Sequence, residues 1–364
     1  MSSIKILKAG FFTTVQDLGR QGYQRFGMPV AGVMDNFSYR VANFLVGNNE
    51  GEAVLEATFL GPELEFLDEM VIAVTGANMK PKLNGKEIPM WESVKVYRGD
   101  KLALGGILNG IRSYIAFSGE LDIELVNNSK STYAKSGIGG FKGRKLLDKD
   151  ELNIKVSNNL FPGKYLDAKF IPEFEKKNNI RVILGPQDDY FTEEGINSFL
   201  NANGYKITKE ADRMGYRLEG EVIKHKEKAD IISDGALFGS VQVPANGSPI
   251  ILMADRQTAG GYTKIATVIS SDLPKVSQMG SDNEIVFEKI SLEEAHKIYR
   301  EYEKNLAEIK EQISNSQRVI KAPEPAVSVA PVGKTNNYIS IGPLRRMNVV
   351  VNGTSYAVDV QEVK

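Results

Sequence analysis

Along residues 1–157 the apolar positions fall in short runs, broken by Gly, Pro and Asn at intervals of roughly ten residues. Residues 70–75, 93–97, 101–104 and 113–117 are such runs. This pattern predicts a barrel or sandwich of short strands. Lys82-Leu83-Asn84-Gly85-Lys86 predicts a hairpin, because Asn-Gly tolerates the positive φ angles of a type I′ turn. One helix is predicted over residues 38–45, where Asp35-Asn36 supplies a cap.

Residues 158–179 read as a connector with Pro162-Gly163, Ile171-Pro172 and the charged run 173–177. A second β-rich unit is predicted over 180–290, opening on Arg181-Val182-Ile183-Leu184 and carrying one short helix at 191–200. Ser291-Leu292-Glu293-Glu294 is a capping box, with Ser at N-cap and Glu at N3, so it opens a helix within residues 291–321. Leu292, Ala295, Ile298, Tyr299 and Tyr302 recur every three or four positions and predict its packed face. The Pro- and Ala-rich segment 322–335 predicts a semi-extended linker. Within the tail 336–364, residues 347–363 alternate apolar and polar about Asn352-Gly353, which predicts a terminal hairpin. An isolated hairpin is marginal in water, so this tail needs a surface to dock on or belongs to a larger domain.

Composition narrows the chemistry. The 364 residues are 42% hydrophobic and 25% charged, with a net charge of −1. That is ordinary for a soluble protein and marks neither a nucleic-acid nor a membrane-surface binder. There is no cysteine, which removes disulfides, thiolate nucleophiles and Cys-ligated zinc. The same lack fits a reducing cytoplasm, as does an N-terminus without an apolar signal core. Only His225 and His296 are available for a histidine-based triad, the first in a charged run that reads as a solvated loop, the second on the helix.

Four constellations remain. The first joins Asp17, Arg20 and Asp35 to glycines at 19, 22, 27 and 32; it is either a ligand loop or a turn held by an Asp17–Arg20 pair, and it matches neither a P-loop nor a dinucleotide fingerprint. The second is Arg213-Met214-Gly215-Tyr216-Arg217, where two guanidiniums could grip a carboxylate in a bidentate fork or stand solvated on an edge strand. It echoes Arg20-Gln21-Gly22-Tyr23, weakly suggesting duplication. The third is residues 239–262, GSVQVPANGSPIILMADRQTAGGY. Here a strand bearing Gln242 and a buried apolar run lead to Asp255-Arg256-Gln257-Thr258 and to Gly260-Gly261, with Lys264 close behind. Arg256 suits a carboxylate, Gln257 and Thr258 suit an amide, and the glycines permit close approach of a ligand. The fourth is residues 128–133 with the glycine loop 137–140, read foremost as an exposed hairpin.

Taken in order, TVQDLGRQGYQRFGMPVAGVMD (14–35), EATFLGPELEF (56–66), STYAKSGIGGFKGR (131–144), ILGPQDDYFTEEG (183–195), DRMGYRLEG (212–220), SDGALFGSVQVP (233–244) and PIILMADRQTAGGYTKIATVISSDL (249–273) resemble the allophanate hydrolase subunit 2-like family of carboxyltransferase-type proteins. That family includes the C subunit of 5-oxoprolinase, KipA-like proteins and the carboxyltransferase region of urea carboxylase. The resemblance implies a mainly β fold of two cyclophilin-like β-barrel units. It implies a subunit 1 or KipI-like partner, a LamB/YcsF-like 5-oxoprolinase component, and a small amide or ureido substrate. It implies ATP used by the whole complex and no tightly bound cofactor, with biotin entering only if the chain is a carboxyltransferase. In this context Asp255, Arg256, Gln257 and Thr258 become the catalytic candidates. Asp17, Arg20, Asp35, Arg213, Tyr216, Arg217, Gln242, Gly260, Gly261 and Lys264 become the substrate-binding candidates. Lys130 stands where the family usually has Arg, losing the planar fork. The tail from Arg346 resembles the opening hairpin of a biotinyl carrier domain, without the Met-Lys motif that takes biotin.

Overall fold

The computed structural model describes residues 2–157, 160–318, 345–351 and 354–360. By their contacts they form one compact unit over Met1–Ile320 and a second over Lys321–Lys364. In the second, Arg345–Val351 and Thr354–Val360 pair antiparallel, as the alternation predicts. The Asn352-Gly353 turn and the 322–335 linker lie outside the described residues.

The larger unit is mainly β, with four helices among its described residues: α1 (Asn36–Val46), α2 (Glu193–Phe199), α3 (Leu273–Ser277) and α4 (Leu292–Asn315). Its first part is built from two sheets. A seven-stranded sheet runs in the order Gly119–Leu121, Glu151–Val156, Ser2–Lys8, Glu63–Phe66, Lys101–Ala103, Lys82–Leu83, Lys86–Glu87. A five-stranded sheet runs Phe12–Gln16, Val54–Thr58, Asn109–Phe117, Met70–Asn78, Ser93–Val96. Both sheets feed one core through residues such as Ile4, Phe66, Leu55, Ile72 and Ile115. The predicted hairpin is there, with Leu83 paired to Lys86 and positive φ at Asn84 and Gly85.

The five-stranded sheet is buried on both faces, which explains near-continuous apolar strands where alternation would mark a half-exposed sheet. Its second face is covered in part by α1 and α4, through Tyr39, Val41 and Leu45 of α1 and Leu306, Ile309 and Ile313 of α4. Ser291 is the N-cap as expected, its Oγ accepting from the Glu294 N–H at 3.1 Å. The packed face differs from the sequence expectation. Leu292 and Tyr299 are 49% and 46% exposed, and the helix buries mainly its later turns against the first part.

The second part is a closed barrel of seven strands: Lys177–Leu184, Glu284–Lys289, Tyr205–Ile207, Gly215–Glu219, Ile250–Leu252, Ser240–Val243 and Ala259–Val268. Closure comes from Val182 pairing with Val268 back on the first strand. An eighth strand, Asp230–Gly235, pairs only with the early half of Ala259–Val268 and forms an edge. Met34, from the first part, inserts among the barrel's core side chains. No described helix is long and apolar enough to cross a membrane.

Candidate functional site

The part of the same sheet face that α1 and α4 leave uncovered meets the barrel, and charge is buried there. Glu56 is the one carboxylate in the strand Val54–Thr58 and is 1% exposed. Tyr114 lies directly opposite it and Arg112 opposite Thr58, so all four share one face. Tyr114 donates to Glu56 Oε2 at 2.9 Å, and the Met34 N–H donates to the same oxygen at 2.8 Å. Arg213 arrives from the barrel side. Its Nη1 donates to Glu56 Oε1, and its Nε and Nη2 form a fork on Asp255 at 3.0 and 2.8 Å. Nη2 also donates to the Gly32 carbonyl at 2.6 Å. Burial lowers the guanidinium's pKa, but Asp255 and Glu56 outweigh burial and hold it well above its ordinary range.

Two further links cross the same junction. Arg112 Nη1 donates to the Tyr216 hydroxyl at 2.6 Å and to the Ser277 carbonyl. Gln278, at the end of α3, accepts from the Ile111 and Arg112 N–H groups at 3.1 and 3.0 Å. Its amide donates to Asp35 at 2.8 Å and to the Arg112 carbonyl at 2.9 Å. Asp35 is the N-cap of α1, accepting from the Ser38 N–H at 3.0 Å.

Four of the sequence candidates are therefore engaged inside the protein. Asp35, Arg213, Tyr216 and Asp255 fasten the sandwich to the barrel, with every charge already partnered. Glu56, Arg112, Tyr114 and Gln278 complete the network and were missed. Glu56 had a signal, a lone carboxylate between Leu55 and Ala57 in an otherwise buried strand; Gln278 had none.

Asp17 is likewise structural. It accepts from the Gly19 N–H at 2.8 Å, the Lys130 N–H at 2.6 Å and the hydroxyls of Ser129 and Ser131. The loop read as an exposed hairpin is thus packed onto it, with Ser129 and Ser131 fully buried. Lys130 points to Glu52 and Glu120 at 2.9 and 2.8 Å. Arg20 is fully buried; Nη2 donates to the Ser131 carbonyl, while Nε and Nη1 have no partner, and burial lowers its pKa. The Arg-x-Gly-Tyr echo does not extend to structure. Tyr216 is a fully buried strand residue, whereas Tyr23 is half-buried beside a short helical turn. Arg217 points out of the barrel, 56% exposed and paired with Glu210 at 3.2 Å, and joins neither cluster.

The second cluster lies on the barrel wall. Gln242 and Lys264 are direct cross-strand partners, 2% and 1% exposed. Val241 and Val243 fill the barrel core, so their neighbour Gln242 faces the other way. Gln242 Oε1 accepts from Gln257 Nε2 at 3.4 Å. Among the described residues its own Nε2 and the Lys264 ammonium have no hydrogen-bond acceptor, and Asp234 is 3.6 Å from the ammonium. Gln187 donates to Asp234 at 3.2 Å and accepts from the Lys264 N–H at 3.1 Å. Gly260 lets the Gln242 amide approach closely, since a Cβ would lie 2.4 Å from Gln242 Nε2 and push that side-chain end aside. Gly261 follows it in the strand.

Arg256 stands in sequence between Asp255 of the first cluster and Gln257 of the second; it is 5% exposed and has no carboxylate partner among the described residues. It donates to the carbonyl of Ala236 at 3.1 Å and, more weakly, to those of Met253 and Ala254. Burial lowers its pKa to about 10, opposed only by Asp255. Thr258, half-buried, holds its strand mouth through its own carbonyl, which accepts from the Ala236 N–H at 3.0 Å. Among the described residues, no group of three His, Asp or Glu is placed to hold a metal. His225 is half-buried and not fully solvated: its Nε2 lies 3.2 Å from the Val243 carbonyl and its ring packs on Phe191.

The profile of the carboxyltransferase domain, subdomains A and B, matches residues 26–289. The chain belongs to this carboxyltransferase-domain family. It is 35% identical over 312 residues to the 5-oxoprolinase C subunit of Escherichia coli K12, covering 86% of this chain and 99% of that protein. The 5-oxoprolinase C subunit of Haemophilus influenzae is 35% identical over 307 residues, covering 84% of this chain and 97% of that one. Among solved structures, the urea amidolyase of K. lactis superposes with a TM-score of 0.80 at 31% identity. That alignment takes in 84% of this chain but only 20% of the far longer amidolyase.

Proposed function

We propose that this carboxyltransferase-domain protein is the C subunit of an ATP-dependent 5-oxoprolinase, opening 5-oxoproline to glutamate together with a subunit 1 or KipI-like partner and a LamB/YcsF-like component. One observation carries the reading: the likeness to the E. coli C subunit runs over 99% of that protein's length. The chemistry of the barrel wall supports it. Gln242 Nε2 and the Lys264 ammonium are two buried donors in want of an acceptor, and a lactam carbonyl or a carboxylate supplies one. Gln257 orients the Gln242 amide, and Arg256 adds an unpaired buried cation nearby. These groups would bind and polarise the amide. ATP belongs to the complex, and no step on it is assigned to this chain.

The test is reconstitution with the co-encoded partners and measurement of ATP-dependent glutamate release from 5-oxoproline. An inert complex would sink the proposal. Arg256→Ala is expected to abolish release while leaving partner binding intact. Loss of partner binding alone would favour a KipA-like regulator that does no chemistry.

A carboxyltransferase is the second reading, favoured by the family profile and by the superposition on urea amidolyase. A ureido carbonyl is the same kind of acceptor as a lactam carbonyl, so the donor pair fits both. Carboxyl transfer from a carboxybiotin-loaded carrier to urea, absent ATP, would distinguish it.

A further inference from the structure

A cavity of about 620 Å³ opens between the five-stranded sheet and the barrel, on the flank of the buried network. That volume is the size of a small-molecule site. Its wall is largely apolar: Phe11 and Phe59 meet edge to face with centroids 5.6 Å apart, and Met214 and Met279 line the opposite side. Phe11 is 59% exposed, a large apolar surface left open to water at the mouth.

Two polar atoms on the wall have no hydrogen-bond partner among the described residues. Thr58 Oγ1 and Arg112 Nε are both buried and belong to directly opposed residues of neighbouring strands. Buried polar atoms without partners are uncommon, and two on one cavity wall point to a group that is meant to meet them. Arg112 already has Glu56 3.9 Å from its Nε, so what is missing there is a neutral acceptor, not a second charge. The charge demand lies at the mouth. Arg213 and Asp255 neutralise each other, and Asp212 accepts from the Met214 and Gly215 N–H groups. Lys135 and Lys209 also line the cavity, are exposed, and have no carboxylate partner among the described residues. The Lys135 ammonium has only the Met214 sulfur, a weak acceptor, at 3.3 Å.

We propose that this cavity binds a small flat anion. An aromatic or heterocyclic ring lies against Phe59 and the two methionines. A ring acceptor faces Thr58 and Arg112, and an anionic group reaches Lys135 and Lys209. The site is separate from the Gln242–Lys264 donor pair, and the proposal does not depend on which reaction the chain supports.

The test uses the full-length protein with its methionine methyl groups carbon-13 labelled, followed by NMR. The probes are 2-naphthoate and its neutral counterpart 2-naphthalenemethanol. Saturable shifts of the Met214 and Met279 methyls are expected with naphthoate, while Met70 and Met90, which do not line the cavity, stay still. The alcohol is expected to bind roughly tenfold more weakly, for loss of the exposed charge contacts. The Lys135→Glu and Lys209→Glu double variant should erase that preference, and Thr58→Val should weaken naphthoate a few-fold. No saturable shift at millimolar probe, or shifts spread equally over all the methionines, would overturn the site. Equal affinity for the alcohol would overturn its preference for an anion.

Discussion

Replacing Arg213 by Met tests whether the junction between sandwich and barrel is held by buried charge. The side chain is 7% exposed, and its two carboxylate partners, Glu56 and Asp255, are 1% and 6% exposed. Methionine keeps the stem but removes five donors, leaving Asp255 buried without its guanidinium and Glu56 with only the Arg112 guanidinium, 3.9 Å away. Breaking a buried pair by deleting one partner costs about 3–5 kcal/mol, and Asp255 is orphaned in this way, so a loss within that range is expected. Against a typical total of about 5–15 kcal/mol, that is a large share. Urea denaturation followed by tryptophan fluorescence and circular dichroism reads it. Trp91 packs beside α1, on the sandwich side, so fluorescence reports that part while circular dichroism reports all strands. The midpoint should fall steeply, and the two signals should separate because the fastening between the parts is gone. Arg217→Met is the internal control, four residues away and paired only with exposed Glu210. It should cost under about 0.5 kcal/mol. A cost for Arg213→Met below about 1 kcal/mol, with the signals still coincident, would refute the argument.

Asp35→Ala removes the cap of α1 and an acceptor of Gln278 together, so a loss of about 2 kcal/mol is expected by thermal or urea unfolding. Gly260→Ala pushes only the flexible end of Gln242, so stability should change by less than about 1 kcal/mol while activity of the reconstituted complex falls; equal activity would separate Gln242 from catalysis. Burial lowers the His225 pKa from its ordinary 6.5, so between its folded value and 6.5 the unfolded chain binds the extra proton. Stability is then full above pH 6.5 and falls as pH drops through that window. His225→Gln should flatten that fall in a series of urea titrations, and an unchanged slope would assign it elsewhere.

The period of apolar positions, the Asn84-Gly85 turn, the Asp35 and Ser291 caps and the helix at 193–199 are local properties, and they were legible because each depends on a few neighbouring residues. Family membership was legible for a related reason: a long series of motifs in fixed order carries it, whatever each residue does. The roles of the charged candidates were not. Asp255 and Arg256 are adjacent in sequence, yet one locks a guanidinium between two β units while the other remains an unpaired cation. Arg213 and Arg217 both read as carboxylate grips, but Arg213 lies in the bend before the strand that carries Arg217, and the fold buries the first while the second faces water. The partners that settle these roles, Glu56, Gly32 and Gln278, are far along the chain. Read linearly, the chain specifies which residues can bear charge in a β scaffold and where its turns and caps fall. Which charges neutralise each other, and which donors are left without an acceptor, emerges only on folding, because pairing and desolvation depend on distance in space.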